Sequence, residues 1–386
     1  MRWNGIAIIV ALLAGSAQAE HVLRVNNDDT LRAAARGATA GTHILIAPGT
    51  YAGGIYLEKL QGTEKEPIIL EAEDAANPPT FKGGRVGFGL SDCSYMVLRD
   101  LVIAGQPING LNIDDGGTFD TPAHHITLEN LTIRDIGPVG NFDAIKLSGV
   151  TNFVVRNCHA EGWGGQGVDM VGCHDGVIES CEFRGKKGFS QDVGPQCKGG
   201  TSRIVVRNCL FVGPLERGIN AGGSTGMQFF RPMDAPFEGA DITVEGCRFN
   251  AVDAPIAFVG ADGSLFRFNT VYHPRWALRI LQENQNARLV RSHNGRYENN
   301  LIIFQGDPRE GGVNIGPETQ PKTFSFTGNW WYCEQAPSHS TPRLPAEEKD
   351  GTYGTDPEVK VEANGDVTIP ADSPAAKVGA AAWKRP

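Results

Sequence analysis

Four polar side chains recur at one place in successive repeats: Lys146 in DAIKLSG, Asp169 in QGVDMVG, Lys198 in PQCKGG and Asn220 in RGINAGG. Each follows an apolar or small residue (Ile145, Val168, Cys197, Ile219), so a strand that turns the first inward turns the polar one outward. The phrase returns in GLNIDDG, APIAFVG, ALRILQE and GVNIGPE, adding Asn112, Ala257, Arg279 and Asn314 to the outward column. Stacked about 4.8 Å apart, these residues would make a polar strip rich in cations, with Asp143 and Arg217 at its edges. Such a strip can hold a carboxylate and stabilise the charge that develops when a neighbouring proton is removed. A lysine can take that proton once burial and nearby cations lower its pKa.

β-Elimination in a uronic-acid polysaccharide would need that chemistry and is the expected reaction. Lys198 is the candidate base and Arg217 the second catalytic candidate, with Lys146, Arg217 or Arg279 binding or neutralising the carboxylate. Lys146, Asn220, Arg231 and Arg279 are candidates for substrate binding. Two long excursions, RGKKGFSQDVGP and MQFFRPMDAPFEGA, interrupt the repeat beside the strip and would wall it. Glycines 199, 200, 222 and 223 would keep the floor low enough for a polymer to lie close. Trp163 and Trp276 could stack on sugars, although such residues more often pack in a core or loop. A plainer reading is that Lys146, Asp169 and Lys198 form a solubilising charge ladder, which would be worth little energetically.

The strip depends on an all-β fold that stacks these phrases. From about residue 95 a second phrase recurs: HITLENLTI, NFVVRNCHA, GVIESCEF, RIVVRNCLF, DITVEGCRF, SLFRFNTVY, RYENNLIIF and FSFTGNWWY. Its bend position holds Asn130, Asn157, Ser180, Asn208, Gly246, Asn269, Asn300 and Asn329, at intervals of 27, 23, 28, 38, 23, 31 and 29 residues. A drifting period in this range, with strands and no helices between them, predicts a solenoid, here a right-handed parallel β-helix. Propeller blades are usually longer and lack this bend. The residue after the bend is Leu131, Cys158, Cys181, Cys209, Cys247, Thr270, Leu301 and Trp330, a mostly apolar column expected to face the core. Four of the eight cysteines are thereby read as stacked small hydrophobes in preference to disulfides. TLRAAARGA near the start reads as a short helical cap.

The chain opens MRWNGIAIIVALLAGSAQA, which reads as a secretory signal peptide over residues 1–19. Its apolar run is too short to span a membrane, so a secreted or periplasmic protein is expected. Residues 20–386 are read as one domain: cap and first turns at 20–95, main repeats at 96–335 and a C-terminal segment at 336–386. The net charge of −9 argues against general nucleic-acid binding. No CxxC pair or zinc-like His/Cys spacing occurs. No membrane association is expected, and a monomer is.

The stretch ILIAPGTYAGGIYLEKLQGTEKEPIILEAEDAANPPTFKGG resembles the N-terminal strands and cap of right-handed β-helix polysaccharide lyases. The groups in question are the family nine pectate lyases and the family six chondroitinase-B and alginate lyases, a resemblance that implies a pectate-like or alginate-like polymer. The ending GTDPEVKVEANGDVTIPADSPAAKVGA is similar to the closing segment of many secreted β-helix proteins. Asp143, Asp169 and Lys198 occupy places comparable to the aspartates and catalytic lysine of family nine. That resemblance implies a calcium ion held by Asp143 and Asp169. The paired aspartates that complete such a site stand here as Gly and Gln in WGGQGVD, and calcium prefers several oxygen ligands. Lys198 and Arg217 echo the lysine–arginine pair of family six, with Arg217 three residues before the aligned Asn220. Two alternatives stay open: a polygalacturonase-like hydrolase recruiting Asp143, Asp169 and Asp192, and a β-helix that only binds carbohydrate.

Overall fold

The computed structural model describes residues 21–307 and 312–385. The expected signal peptide falls on residues outside these. Apart from the small hairpin Lys360–Val361 with Val367–Thr368, every strand pairing is parallel, and the strands assemble into two long sheets that wind around one core. This is a parallel β-helix. The helix Asp28–Arg36 covers its first rung: Asn27 caps it by accepting from the Thr30 N–H, and Leu31 and Ala35 are buried.

The rungs are held in step by like-on-like stacking. Phe183, Phe211 and Phe249 stack with centroids 5.0 and 4.6 Å apart and rings tilted by 12° and 9°. Inside the bend, Cys158, Cys181, Cys209 and Cys247 are buried free thiols, each Sγ contacting a carbonyl of the rung before it. The bend residues Asn130, Asn157, Ser180 and Asn208 have φ of 51–53°, a left-handed conformation that asparagine tolerates better than most side chains.

The last three bends correct the sequence alignment by one residue. There Phe268, Asn299 and Gly328 take the left-handed position, and Asn269, Asn300 and Asn329 continue the inward cysteine column. Each asparagine Oδ1 accepts the backbone N–H of the preceding rung: Cys247 to Asn269, Asn269 to Asn300 and Asn300 to Asn329, all at 2.9 Å. Asn329 donates onward to Glu348 at 2.7 Å. The repeated letter in the sequence is therefore a buried amide ladder in these turns and a surface bend in the earlier ones.

Thr270 and Leu301 are buried from outside, where the C-terminal segment doubles back along the solenoid. Ala380 N–H donates to Thr270 Oγ1 at 3.0 Å, Asp366 pairs with Arg248 at 2.8 Å, and Arg385 reaches Glu179 at 3.0 Å.

Candidate functional site

The floor of the site is the face built from Asn109–Asp114, Ile145–Ser148, Gln166–Val171, Val193–Lys198, the end of Leu210–Gly222, the end of Arg248–Val259, Leu278–Leu281 and Val313–Ile315. Register puts Asn112 beside Lys146, Lys146 beside Asp169, Asn220 beside Ala257, Ala257 beside Arg279 and Arg279 beside Asn314. One rung departs from expectation. Asp169 pairs with Gln196, and Lys198 pairs with Val171. Pro195, not Cys197, stands in the inward column with Val168, and Cys197 packs with Met170 and Ala221. A shift of two residues preserves which face a side chain takes, so Lys198 still points outward.

From there it reaches diagonally to Asp169. Lys198 Nζ lies 2.9 Å from Asp169 Oδ1, Lys146 Nζ bonds Asp169 Oδ2, and Lys146 Nζ lies 3.3 Å from Asp143 Oδ2. Both aspartate side chains are fully buried, while Lys146 and Lys198 keep 25% and 12% of theirs exposed. The result is an alternating chain of charges whose acidic members lie beneath its basic ones. Burial, then the Asp169 charge, pushes the Asp143 carboxyl up to about 6. Burial works against the Lys146 charge, but Asp169 and Asp143 outweigh it and hold the ammonium above its ordinary range. Lys146 is thus a fixed cation.

Glu238 is the residue the sequence did not reveal. Fully buried, it accepts the N–H of Gly199 and of Thr225 at 2.8 Å each and the Asn284 amide at 2.7 Å. One carboxylate thus ties the turn after Lys198 to the 225–238 excursion and to a third loop at 282–292, and not to the 184–195 excursion. A lone glutamate in FEGA carries no spacing signal, because its partners lie 39, 13 and 46 residues away. The loops also share a small core of Phe230, Ala235 and Leu289. Gln196 is the second omission: it takes the floor position expected for Lys198.

Several expected roles change. Arg231 is committed to Asp115, with contacts of 2.5 and 3.0 Å, while Phe119 lies under its guanidinium and Phe229 O accepts from it. It anchors the wall and keeps 10% of its side chain exposed. Asn220 is 1% exposed with its Oδ1 enclosed and unpartnered, so it lies beneath the floor surface. The glycines clear protein atoms, not a ligand. A Cβ on Gly200 would sit 2.6 Å from Arg231 O, one on Gly222 1.8 Å from Val259 O, and one on Gly223 2.4 Å from Gln196 Nε2. Gly199 has Val171 at 3.0 Å from its Cβ position. Trp163 is core, donating to Val193 O at 2.9 Å. Trp276 is half-buried, with Arg275 over its ring at 5.5 Å.

Arg217 and Arg279 form a second centre. Arg217 pairs in register with Val193, five residues before Lys198, about 16 Å along the strand. Its guanidinium lies 2.9 Å from Glu283, and Arg279 is bonded to Asn314 at 3.0 Å with Glu216 at 3.6 Å. Burial, then Arg217, lowers the Arg279 pKa, and burial followed by Glu216 raises that of Asp192. The structure therefore joins Lys146, Asp143, Asp169 and Lys198, and sets Arg217 and Arg279 apart from them.

The implied calcium ion does not fit these residues. Asp169 has an ammonium on each oxygen, and Asp143 gives Oδ1 to the Gln166 N–H at 3.0 Å and Oδ2 to Lys146. Among the described residues no group of three His, Cys, Asp or Glu side chains is arranged to hold a metal.

Residues 79–231 match the family model described as a right handed beta helix region. The solenoid is a right-handed β-helix. Among solved structures, an alginate lyase from Paenibacillus sp. str. FPU-7 is 17% identical, with a TM-score of 0.55 over 78% of this chain and 96% of that one. A rhamnogalacturonan lyase is 18% identical, with a TM-score of 0.51 over 76% and 80%. A lacto-N-biosidase from Eubacterium ramulus is 15% identical, with a TM-score of 0.50 over 86% and 68%. No curated protein matches the chain. At these identities the β-helix carries the likeness, and β-helices serve both lyases and hydrolases.

Proposed function

We propose that the protein is an exported polysaccharide lyase that cleaves a uronic-acid polymer by β-elimination on the floor around Lys198. The observation that carries this reading is Lys198 itself. It is the cation at the end of a buried Lys146–Asp143–Asp169 cluster, beside walls fastened to its own turn through Glu238. In the reaction Lys198 Nζ gives its own proton to solvent and takes the proton from C5 of the uronate. The C5–H electron pair becomes the C4–C5 double bond, the C4–O4 bond breaks, and the leaving oxygen takes a proton from water. Lys146, permanently charged and partly exposed, faces the carboxylate and stabilises the charge that grows on it. Arg217 and Arg279, farther along the floor, bind a second carboxylate of the same chain.

The test is incubation with pectate, alginate and chondroitin while following the ultraviolet absorbance of unsaturated ends. Absorbance that rises with chain cleavage is expected, and its absence on every uronic polymer overturns the reading.

A second reading is hydrolysis, favoured by Asp192, whose carboxyl is raised by burial and by Glu216 at the edge of the Arg217 centre. Asp143 and Asp169 have no exposed surface to offer a sugar, so hydrolysis would fall to Asp192 and Glu216. New reducing ends without ultraviolet absorbance would select it.

A further inference from the structure

We infer that Lys146 is a resident cation, its ammonium filling the place between Asp143 and Asp169 that a divalent ion would need. Charge and oxygen count both point to this, whichever reaction the groove supports. Asp143 and Asp169 lie on adjacent rungs with no exposed surface. Two buried carboxylates side by side require a positive partner or a proton. A hard divalent ion would draw on about six to eight oxygens, calcium most of all. Here the count is short. Asp143 Oδ1 accepts the Gln166 N–H, and Asp169 Oδ1, which accepts no hydrogen bond, faces the Lys198 ammonium as an ion pair at 2.9 Å, which leaves one Oδ2 from each for a shared partner. Lys146 Nζ meets both of them. Where a third carboxylate could have joined, the sequence offers Gly165 and Gln166, and the Gln166 Oε1 is enclosed without a partner.

An ammonium is a compact point charge with three donors, suited to bridging two carboxylate oxygens, and while it sits between them neither is open to a divalent ion. Being covalent, it cannot be lost to dilution or chelation. The floor therefore keeps its charge in media that contain no free calcium.

The test uses the full chain and reads metal binding, not catalysis. Thermal midpoints are measured with millimolar CaCl2 and with EDTA, together with calorimetric titration of Ca2+. Wild type is expected to give the same midpoint in both and no saturable heat. Lys146→Ala is expected to melt lower in EDTA and to recover, saturably, in CaCl2. Adding Asp169→Asn should abolish that recovery. Saturable calcium stabilisation of wild type that Asp169→Asn removes overturns the inference. So does a folded Lys146→Ala variant with no calcium response. Lys146→Met, which keeps the stem, replaces the alanine variant if that one does not fold, and the wild-type titration decides independently of both.

Discussion

Lys198 Nζ lies 2.9 Å from Asp169 Oδ1 although the two residues are not register partners, because Gln196 occupies the position directly beside Asp169. The lysine reaches its carboxylate diagonally, which leaves its ammonium at the edge of the buried cluster and not inside it. A proton acceptor for a polymer must sit at such an edge.

Lys198→Ala should lower turnover on the cleaved polymer by about 10²–10⁴-fold, the usual contribution of a general base. The far-ultraviolet circular dichroism spectrum should be unchanged, since Lys146 still neutralises Asp169. Full activity in the folded variant would remove the base assignment.

Stability should fall as pH rises through the Asp143 transition. Its carboxyl sits at about 6 in the fold against an ordinary 3.8, so the folded chain holds this proton more tightly than the unfolded one. The stabilisation is complete below the unfolded value and lost as the pH passes 6. In Asp143→Asn that loss is absent, so urea unfolding between about pH 4 and pH 7 should show a smaller drop than in wild type.

Glu238→Ala leaves three donors without their acceptor, at a cost of roughly 3 kcal/mol if each bond is worth about 1 kcal/mol. Chemical denaturation would measure it. A cost near zero would show that water replaces the carboxylate and that the walls are not fastened through it.

The arginines should separate by phenotype. Arg231→Ala strands the buried Asp115 carboxylate, at about 3–5 kcal/mol, and should expose the 227–240 excursion to limited proteolysis. Arg279→Ala should change stability by about 0.5 kcal/mol or less while raising KM with little effect on kcat. Equal proteolytic sensitivity of the two variants would contradict the anchor role.

The rungs, the inward columns and the outward polar strip were legible because a solenoid repeats its constraints, and each rung carries the same in–out alternation. The two register errors arose where one residue type serves two places. Asparagine fits both a left-handed bend and an inward amide ladder, so Asn269, Asn300 and Asn329 aligned with Asn130 by letter and not by position. Cys197 and Pro195 are both small enough to face inward, which concealed the shift beneath Lys198. Glu238, and the pairing of Arg231 with Asp115 across 116 residues, follow from the path of a loop, and no local pattern records that path.

The returning C-terminal segment alters how such a stack comes apart. A solenoid whose rungs touch only their neighbours can fray from an end, one unit at a time. Here one continuous stretch of chain is buttoned to Thr270, to Arg248 and Asn250 on the strand beside it, and to Glu179 two rungs farther back. Peeling the last rungs would pull on the middle of the stack, so the C-terminal half should open as a single cooperative block. Removing the segment would turn that block back into a row of separable units.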